Sequence, residues 1–364
     1  MATHDTDAMR SRTTMHDLLA QAAARTPGAL ALTYRDAAVT YGELWLVVRS
    51  VAAQLSSVGV CRGDRVAIYL EKRIETVAAI FGASLVGGVF VPINPVLKPA
   101  QVEHILRDSG ARLLVTSADR LGQLTRVVAE SAIDDVIVVD RAGDGEAGFA
   151  VHAWDGDGAA EVTASGAIDI DPAAILYTSG STGRPKGVVL SHRNLIVGAE
   201  SVSAYLEHTA DDVILSVLPL SFDAGLSQVT TAFSAGAHVI LMNYLLPREV
   251  PRLCELHGVT GLTGVPPLWV QLADLPWPES AARRLRYWAN TGGRMPRPLL
   301  DRLRGLFVEA KPYLMYGLTE AFRSTYLDPA QIEQRPDSIG KAIPNAEILV
   351  VRADGTRCDP GEAG

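Results

Sequence analysis

Short apolar runs of strand length alternate with longer amphipathic stretches through most of this chain, and that alternation constrains its fold more than any other feature. The runs Arg65–Leu70, Val89–Ile93, Leu113–Thr116 and Asp135–Val139 predict strands, and so do Asp212–Leu218, His238–Leu241, Gly261–Val265, Leu285–Asn290 and Tyr313–Tyr316. Between them the spacing predicts helices over Glu75–Gly87, Pro99–Ser109, Ser191–Leu206, Gly225–Ala235, Pro247–His257 and Pro298–Leu306. Gly110 is a natural helix stop and Ser191 a natural N-cap. Earlier in the chain, Thr14–Ala24 has helical spacing, and Ala29–Tyr34 with Ala38–Tyr41 reads as a hairpin. Tyr41–Val58 carries one apolar stripe, Leu44, Val47, Val48, Val51, Ala52 and Leu55. Strand–helix alternation of this kind predicts an α/β protein with parallel sheets, here in two successive units. Residues 140–170, rich in Gly, Ala and Asp, read as a long loop.

Within that frame one segment carries chemistry. Residues 177–188 read YTSGSTGRPKGV, placing four hydroxyls, three glycines and one lysine in the ten residues 178–187. Glycines let backbone N–H groups approach a ligand closely, hydroxyls add donors, and a lysine adds a point charge. Flanked by the apolar runs Ala173–Tyr177 and Val188–Leu190, the segment reads as strand, loop, strand with a helix opening near Ser191, and as a nucleotide-phosphate loop. It is not the common P-loop, because Pro185 stands where a glycine is required and Val188 where a metal-binding hydroxyl is required.

This motif resembles the signature of the adenylate-forming superfamily, which includes acyl-CoA synthetases, adenylation domains of non-ribosomal peptide synthetases and luciferases. Other segments match the family in its order: VTYGEL (Val39–Leu44), LVGGVFVPINP (Leu85–Pro95), LPLSFDAG (Leu218–Gly225), YGLTEA (Tyr316–Ala321) and SIGKAIPN (Ser338–Asn345). The likeness runs from about residue 15 to the end. It implies two α/β subdomains with mostly parallel sheets packed against each other, plus a small distorted β-barrel. The expected division is a disordered tail over 1–14, a first unit over 60–200, a second made of 15–59 with 201–320, and the start of the barrel over 321–364. The family's mobile C-terminal domain, with its ribose-binding Thr-Gly-Asp segment, hinge and catalytic lysine, is absent from these residues, which end at Gly364. The expectation is either a truncated protein or the large N-terminal domain of a longer ligase.

The resemblance further implies ATP-dependent activation of a carboxylic acid as an acyl-adenylate, release of pyrophosphate, and transfer to a thiol of CoA or of a carrier protein. Such a reaction crowds anions together, so positioning, donors and a metal ion carry the catalysis. By the resemblance Thr178, Ser179, Gly180, Ser181, Thr182, Gly183 and Lys186 hold the β- and γ-phosphates of ATP. Glu320 ligates Mg²⁺, a hard cation suited to carboxylate oxygen. Thr319 donates to the α-phosphate, Tyr316 stacks on adenine beside Gly317, and Gly292, Gly293 and Arg294 line the adenine site and the acyl tunnel. Two departures stand out: Leu314 occupies the place of an asparagine usual in peptide-synthetase domains, and Arg294 follows the Gly-Gly pair where many relatives have a small or acidic residue.

The acid substrate is read from Asp223, which matches an aspartate that pairs with the ammonium of the substrate in amino-acid-activating relatives. A helix cap ahead of Ala224–Ala235 is the other reading of Asp223. Arg323 either binds a substrate carboxylate or pairs with Glu320 or Asp328. His192 and His257 read as structural, although His192 begins a helix near the motif and has an approach to the nucleotide as its alternative. An amino acid is thus the expected substrate, a fatty- or aryl-acyl-CoA ligase the alternative, and a non-catalytic nucleotide- or acyl-binding module the reading from another class.

Bulk properties exclude other classes. A net charge of −8 without a long basic run argues against nucleic-acid binding. The opening MATHDTDAMRSRTT has no apolar leader core, and Cys61, Cys254 and Cys358 stand far apart, so the expectation is a reduced cytoplasmic protein without disulfides. The uncharged stretch Val77–Val96 is long enough for a membrane span, but its glycines and prolines favour a buried helix, a turn and a core strand.

Overall fold

A computed structural model describes residues 12–140, 148–156, 165–178 and 184–364. In chain order its elements begin α1 (Asp17–Arg25), β1 (Leu30–Tyr34), β2 (Ala37–Thr40), α2 (Tyr41–Ser57), β3 (Arg65–Tyr69) and α3 (Ile74–Leu85). They continue β4 (Val89–Pro92), α4 (Pro99–Ser109), β5 (Leu113–Thr116), α5 (Ala118–Ala129), β6 (Asp135–Val138), β7 (Ala150–Ala153), β8 (Pro172–Thr178) and β9 (Lys186–Ser191). Then come α6 (His192–Tyr205), β10 (Val213–Ser216), α7 (Asp223–Ala235), β11 (His238–Leu241), α8 (Glu249–His257), β12 (Gly261–Gly264), α9 (Pro266–Ala273) and α10 (Glu279–Arg284). The last are β13 (Tyr287–Asn290), α11 (Arg297–Leu306), β14 (Lys311–Tyr316), β15 (Thr325–Leu327) and β16 (Lys341–Ala342).

Local chemistry sets the helix ends. Thr40 and Glu43 form a reciprocal capping box that opens α2, and Ser191 caps α6 with Asn194 in the same way. Pro99 opens α4, and Gly110 closes it in the left-handed conformation at φ 59°. The stripe of α2 is buried as its spacing predicts: Leu44, Val48, Val51 and Leu55 have no exposure. Each such side chain contributes about 1.5–3 kcal/mol.

Among the described residues the strands form two sheets. One has the order β7-β6-β5-β3-β4-β8-β9 and is parallel except where β9 returns beside β8. The other has the order β16-β15-β14-β13-β12-β10-β11-β1-β2, with antiparallel pairs only at its two ends. Helices α1, α2, α3, α6 and α7 pack between the sheets, so that Ile68 and Leu113 of one sheet and Val239, Leu241 and Ala289 of the other share one core cluster. Helices α4 and α5 cover the outer face of the first sheet, and α8 to α11 that of the second. The protein is therefore a mixed α/β fold with two mostly parallel sheets, and no helix among the described residues is long and apolar enough to cross a membrane. Val77–Val96 resolves into most of α3, a Gly87–Gly88 turn and β4.

Four details differ from the sequence expectations. Residues 12–14, assigned to a tail, are held in place: Arg12 donates to Ser234 Oγ at 2.7 Å and pairs with Glu200 at 3.1 Å. The expected tail over residues 1–11 lies outside the described residues. Helix α5 lies in a stretch given no element, and β7 in the expected loop, pairing with β6 alone. Residues Ile348, Leu349 and Val350, expected to begin a β region, stay about half exposed beside a single bridge from Val351 to Arg357, because no neighbouring strand offers a ladder. The described residues contain no closed barrel.

Candidate active site

In open α/β sheets, ligands gather beyond the carboxyl ends of the strands. The motif residues lie there: Thr178 ends β8, Asp223 follows β10, Gly292 and Gly293 follow β13, and Tyr316 ends β14. The glycine- and hydroxyl-rich motif joins two antiparallel strands, with Thr178 opposite Lys186. Ser179, Gly180, Ser181, Thr182 and Gly183 lie outside the described residues. The base of the hairpin is fixed to α4, because Tyr177 donates to Asp108 Oδ2 at 2.7 Å and His104 Nε2 meets the Pro185 carbonyl at 2.9 Å. Burial and the Asp108 carboxylate push the Tyr177 phenol up, so it remains a donor. Strand β9, which begins with Lys186, lies against the 3₁₀ turn Thr319–Ala321 that carries Glu320.

A cavity of about 420 Å³ brings together Gly292, Gly293, Arg294, Tyr316 and Gly317 with Ser338 and Ile339. Gly292 has φ 71°, a conformation that favours glycine, and Asn290 closes the turn by donating to the Gly293 carbonyl at 2.8 Å. Tyr316 is 46% exposed and lines this cavity. Arg294 points to the surface and pairs with Asp337 at 2.5 Å, both side chains being mostly exposed. Such pairs contribute little. Glu320 is exposed, and no ion pair engages it among the described residues.

Beside Tyr316 the chain makes a strained turn. Phe322 has φ 59°, unusual for so large a residue, and its ring fits against Gly198, where a Cβ would lie 2.3 Å from the ring. This turn directs Arg323 into the protein. Its side chain is 2% exposed, and its guanidinium donates to Asp223 Oδ2 at 2.7 Å. Thr319 Oγ1 lies 3.5 Å from Asp223 Oδ1. Asp223 is the first residue of α7; the N-cap is Phe222, and no side-chain cap bond forms. The carboxylate thus faces Arg323 rather than capping the helix, and Arg323 pairs with neither Glu320 nor Asp328. Behind the pair is a space of about 10 Å³ lined by Ser227, Gln228, Thr231, Thr263 and Arg323, enough for one water. Arg323 Nε has no partner there among the described residues.

His192 is turned away from this region: it is fully buried, and its Nδ1 accepts from the Met15 N–H at 3.0 Å. Burial lowers its pKa to about 4. His257 stands at the C-terminal end of α8. A larger cavity, of about 550 Å³, opens between the two sheets on the other side of the Val217–Ser221 segment. It is lined by Lys72, Arg120 and Asn243 among mostly apolar residues.

Sequence reasoning missed Phe322, Gly225 and Lys72. Gly225 is recognisable only from its packing, since a Cβ there would lie 1.9 Å from the Pro219 carbonyl oxygen. A lysine between an apolar strand and an apolar helix was the visible sign at Lys72.

The model of one protein family, described as AMP-binding enzyme, matches residues 19–364. The chain is 30% identical over 361 residues to an L-proline–(L-prolyl-carrier protein) ligase of Pseudomonas fluorescens, covering 96% of this chain and 70% of that protein. It is 32% identical over 336 residues to 4-coumarate–CoA ligase 2 of Oryza sativa subsp. japonica, covering 86% and 59%. The chain thus spans 59–70% of the length of these curated relatives. Among solved structures, the complex of VinN with L-aspartate is similar with a TM-score of 0.80 and 28% identity, over 96% of this chain and 86% of that one.

Proposed function

The chain belongs to the AMP-binding enzyme family, and on that premise we propose that it activates an amino acid with ATP as an acyl-adenylate and passes it to a thiol. The observation that carries this reading is the convergence of Asp223, Arg323 and Thr319 beside the Gly292–Tyr316 cavity and the motif hairpin. In it, Thr178, Lys186 and the glycine- and hydroxyl-rich residues Ser179–Gly183 hold the β- and γ-phosphates. Tyr316 stacks on adenine against Gly292 and Gly293. Thr319, whose 3.5 Å contact to Asp223 is weak, has its hydroxyl free to donate to the α-phosphate. The substrate carboxylate attacks that phosphorus and pyrophosphate leaves. Glu320, an exposed carboxylate and so a hard oxygen donor, would hold Mg²⁺, which when bound would neutralise phosphate charge. The acceptor is the thiol of CoA or of a carrier protein, as the names of the relatives suggest. The two sheets, with residues 60–200 in one unit and 15–59 with 201–320 in the other, act as the walls of the site.

The Asp223–Arg323 pair also bears on the acid. A buried charge stripped of its partner is costly. An incoming ammonium that takes Asp223 frees Arg323, and a second carboxylate on the same substrate re-pairs it. An amino acid with two carboxylates therefore suits the site, a reading supported by the VinN complex with L-aspartate.

ATP–pyrophosphate exchange on the full-length protein tests the proposal, with L-aspartate, L-proline, β-alanine, 4-coumarate and palmitate. Exchange strongest with L-aspartate is the expected result. Exchange with 4-coumarate or palmitate alone would make Asp223 structural and the protein an acyl-CoA ligase. ATP binding without exchange for any acid would support a non-catalytic module.

A further inference from the structure

Lys72 lies just beyond the carboxyl end of β3, in the first sheet, and is buried, with 6% of the residue exposed. No ion pair of Lys72 occurs among the described residues; the neighbouring Glu71 pairs with Arg120. Its Nζ instead donates to the carbonyl oxygens of Ser216 at 2.5 Å and Leu218 at 2.8 Å, at the end of β10 in the second sheet. Its backbone is clamped to the same sheet. Asn243 Oδ1 accepts from the Lys72 N–H at 2.9 Å, and Asn243 Nδ2 donates to the Lys72 carbonyl at 2.8 Å. A buried ammonium without a carboxylate is costly, so it is held only where carbonyl oxygens meet it with good geometry. Burial moves its pKa well down.

The carbonyls that Lys72 holds are mechanically coupled to the acid site. The Leu218 N–H donates to Gln228 Oε1 of α7 at 3.2 Å, so the segment is gripped from both sides. Gly225, in the first turn of α7, sits directly on the carbonyls of Leu218 and Pro219, where a Cβ would lie 2.8 and 1.9 Å from their oxygens. Asp223 belongs to that same turn. A shift of the Leu218 carbonyl therefore moves the start of α7 and with it the Asp223 carboxylate. We propose that Lys72 is a positioning residue for the acid site: from one sheet it latches the Ser216–Leu218 strand end of the other, fixing the Pro219–Asp223 segment against Arg323. This inference rests on the reading of Asp223 as the substrate anchor.

The test compares Lys72→Met, which keeps length without donors, with Lys72→Arg, which keeps donors and for which the adjoining cavity leaves room. In ATP–pyrophosphate exchange with L-aspartate, Lys72→Met raises the KM for the acid about tenfold, the loss expected for a hydrogen bond to a charged group, with the KM for ATP unchanged. Lys72→Arg restores most of it. Hydrogen–deuterium exchange of the whole protein provides a readout independent of activity: peptides covering 217–226 exchange faster in Lys72→Met, whereas those covering β13 do not. If Lys72→Met does not fold, Lys72→Gln serves the same comparison. Equal protection of 217–226 in variant and parent, or a rise in both KM values without rescue by arginine, overturns the proposal. Absence of exchange activity in the parent protein with every acid overturns the functional reading instead, and the protection of 217–226 then decides on the latch alone.

Discussion

Replacing Asp223 by alanine removes the counter-charge of a guanidinium that is almost wholly buried. Among the described residues, Arg323 would keep the Phe322 carbonyl, at 3.0 Å, as its hydrogen-bond partner, and its Nε already has none. Removing one member of a buried pair typically costs about 3–5 kcal/mol. Arg323→Met leaves a different remainder. Asp223 is 16% exposed and sits in the first turn of α7, where the helix dipole and water stabilise a carboxylate, so the cost is smaller, about 1–3 kcal/mol. The double variant Asp223→Ala/Arg323→Met removes both charges and refills part of the volume, and should fall within about 2 kcal/mol of the parent. The cycle therefore closes with a coupling of at least about 2 kcal/mol, of the size seen for contacting residues. Urea unfolding followed by tryptophan fluorescence and far-UV circular dichroism measures all four corners. Additive single effects, or a cost of Asp223→Ala below about 1 kcal/mol, would refute the claim that this pair is buried and interdependent. Exchange assays on the same variants separate stability from recognition: Asp223→Ala loses amino-acid-dependent exchange even under conditions where it remains folded.

Three further outcomes are expected. His192 is neutral in the folded protein with a pKa near 4 against an ordinary 6.5, so the unfolded chain takes up its proton first and stability falls as pH drops from 6.5 towards 4, by at most about 3 kcal/mol; His192→Asn, which keeps an acceptor for Met15, should flatten that part of a urea-midpoint profile. Gly225→Ala drives a Cβ into the Pro219 carbonyl and should cost about 1–3 kcal/mol, together with a higher KM for the acid; wild-type unfolding and kinetics in this variant would contradict the packing described. Lys186→Ala should raise the KM for ATP about tenfold or more while leaving that for the acid unchanged, because only a charge-assisted contact to phosphate is lost; steady-state kinetics with each substrate varied decides it.

Much of this architecture was legible because its signals are local. The α2 stripe, the Gly110 stop and the Ser191 cap each lie within one or two turns of the structure they specify. Helix α5 is equally local, with Leu121, Leu124, Val127 and Val128 on one face behind a Ser117 cap. Strand β7 was not legible: Ala150–Ala153 has little apolar pattern and exists because β6 offers an edge. In the candidate site, Tyr316 and Gly292 line one cavity, and strand β9 lies against the Glu320 turn. The partner of Asp223 was hidden, because Arg323 lies a hundred positions away and reaches it only through the positive φ of Phe322. A backbone conformation of that kind leaves no trace in composition.

The pairing of β1 has a consequence for how the chain assembles during synthesis. All strands of the seven-stranded sheet lie within Arg65–Ser191 and can pair as soon as that stretch has emerged. Strand β1 cannot, since Leu32 aligns with Val239 on a strand made roughly two hundred residues later. Pairings so distant in sequence carry a large loop-closure cost and form slowly. Until β11 exists, one edge of the β1–β2 hairpin stays unpaired. The first strand to leave the ribosome thus has its hairpin partner at once but waits about two hundred residues for its neighbour on the other edge.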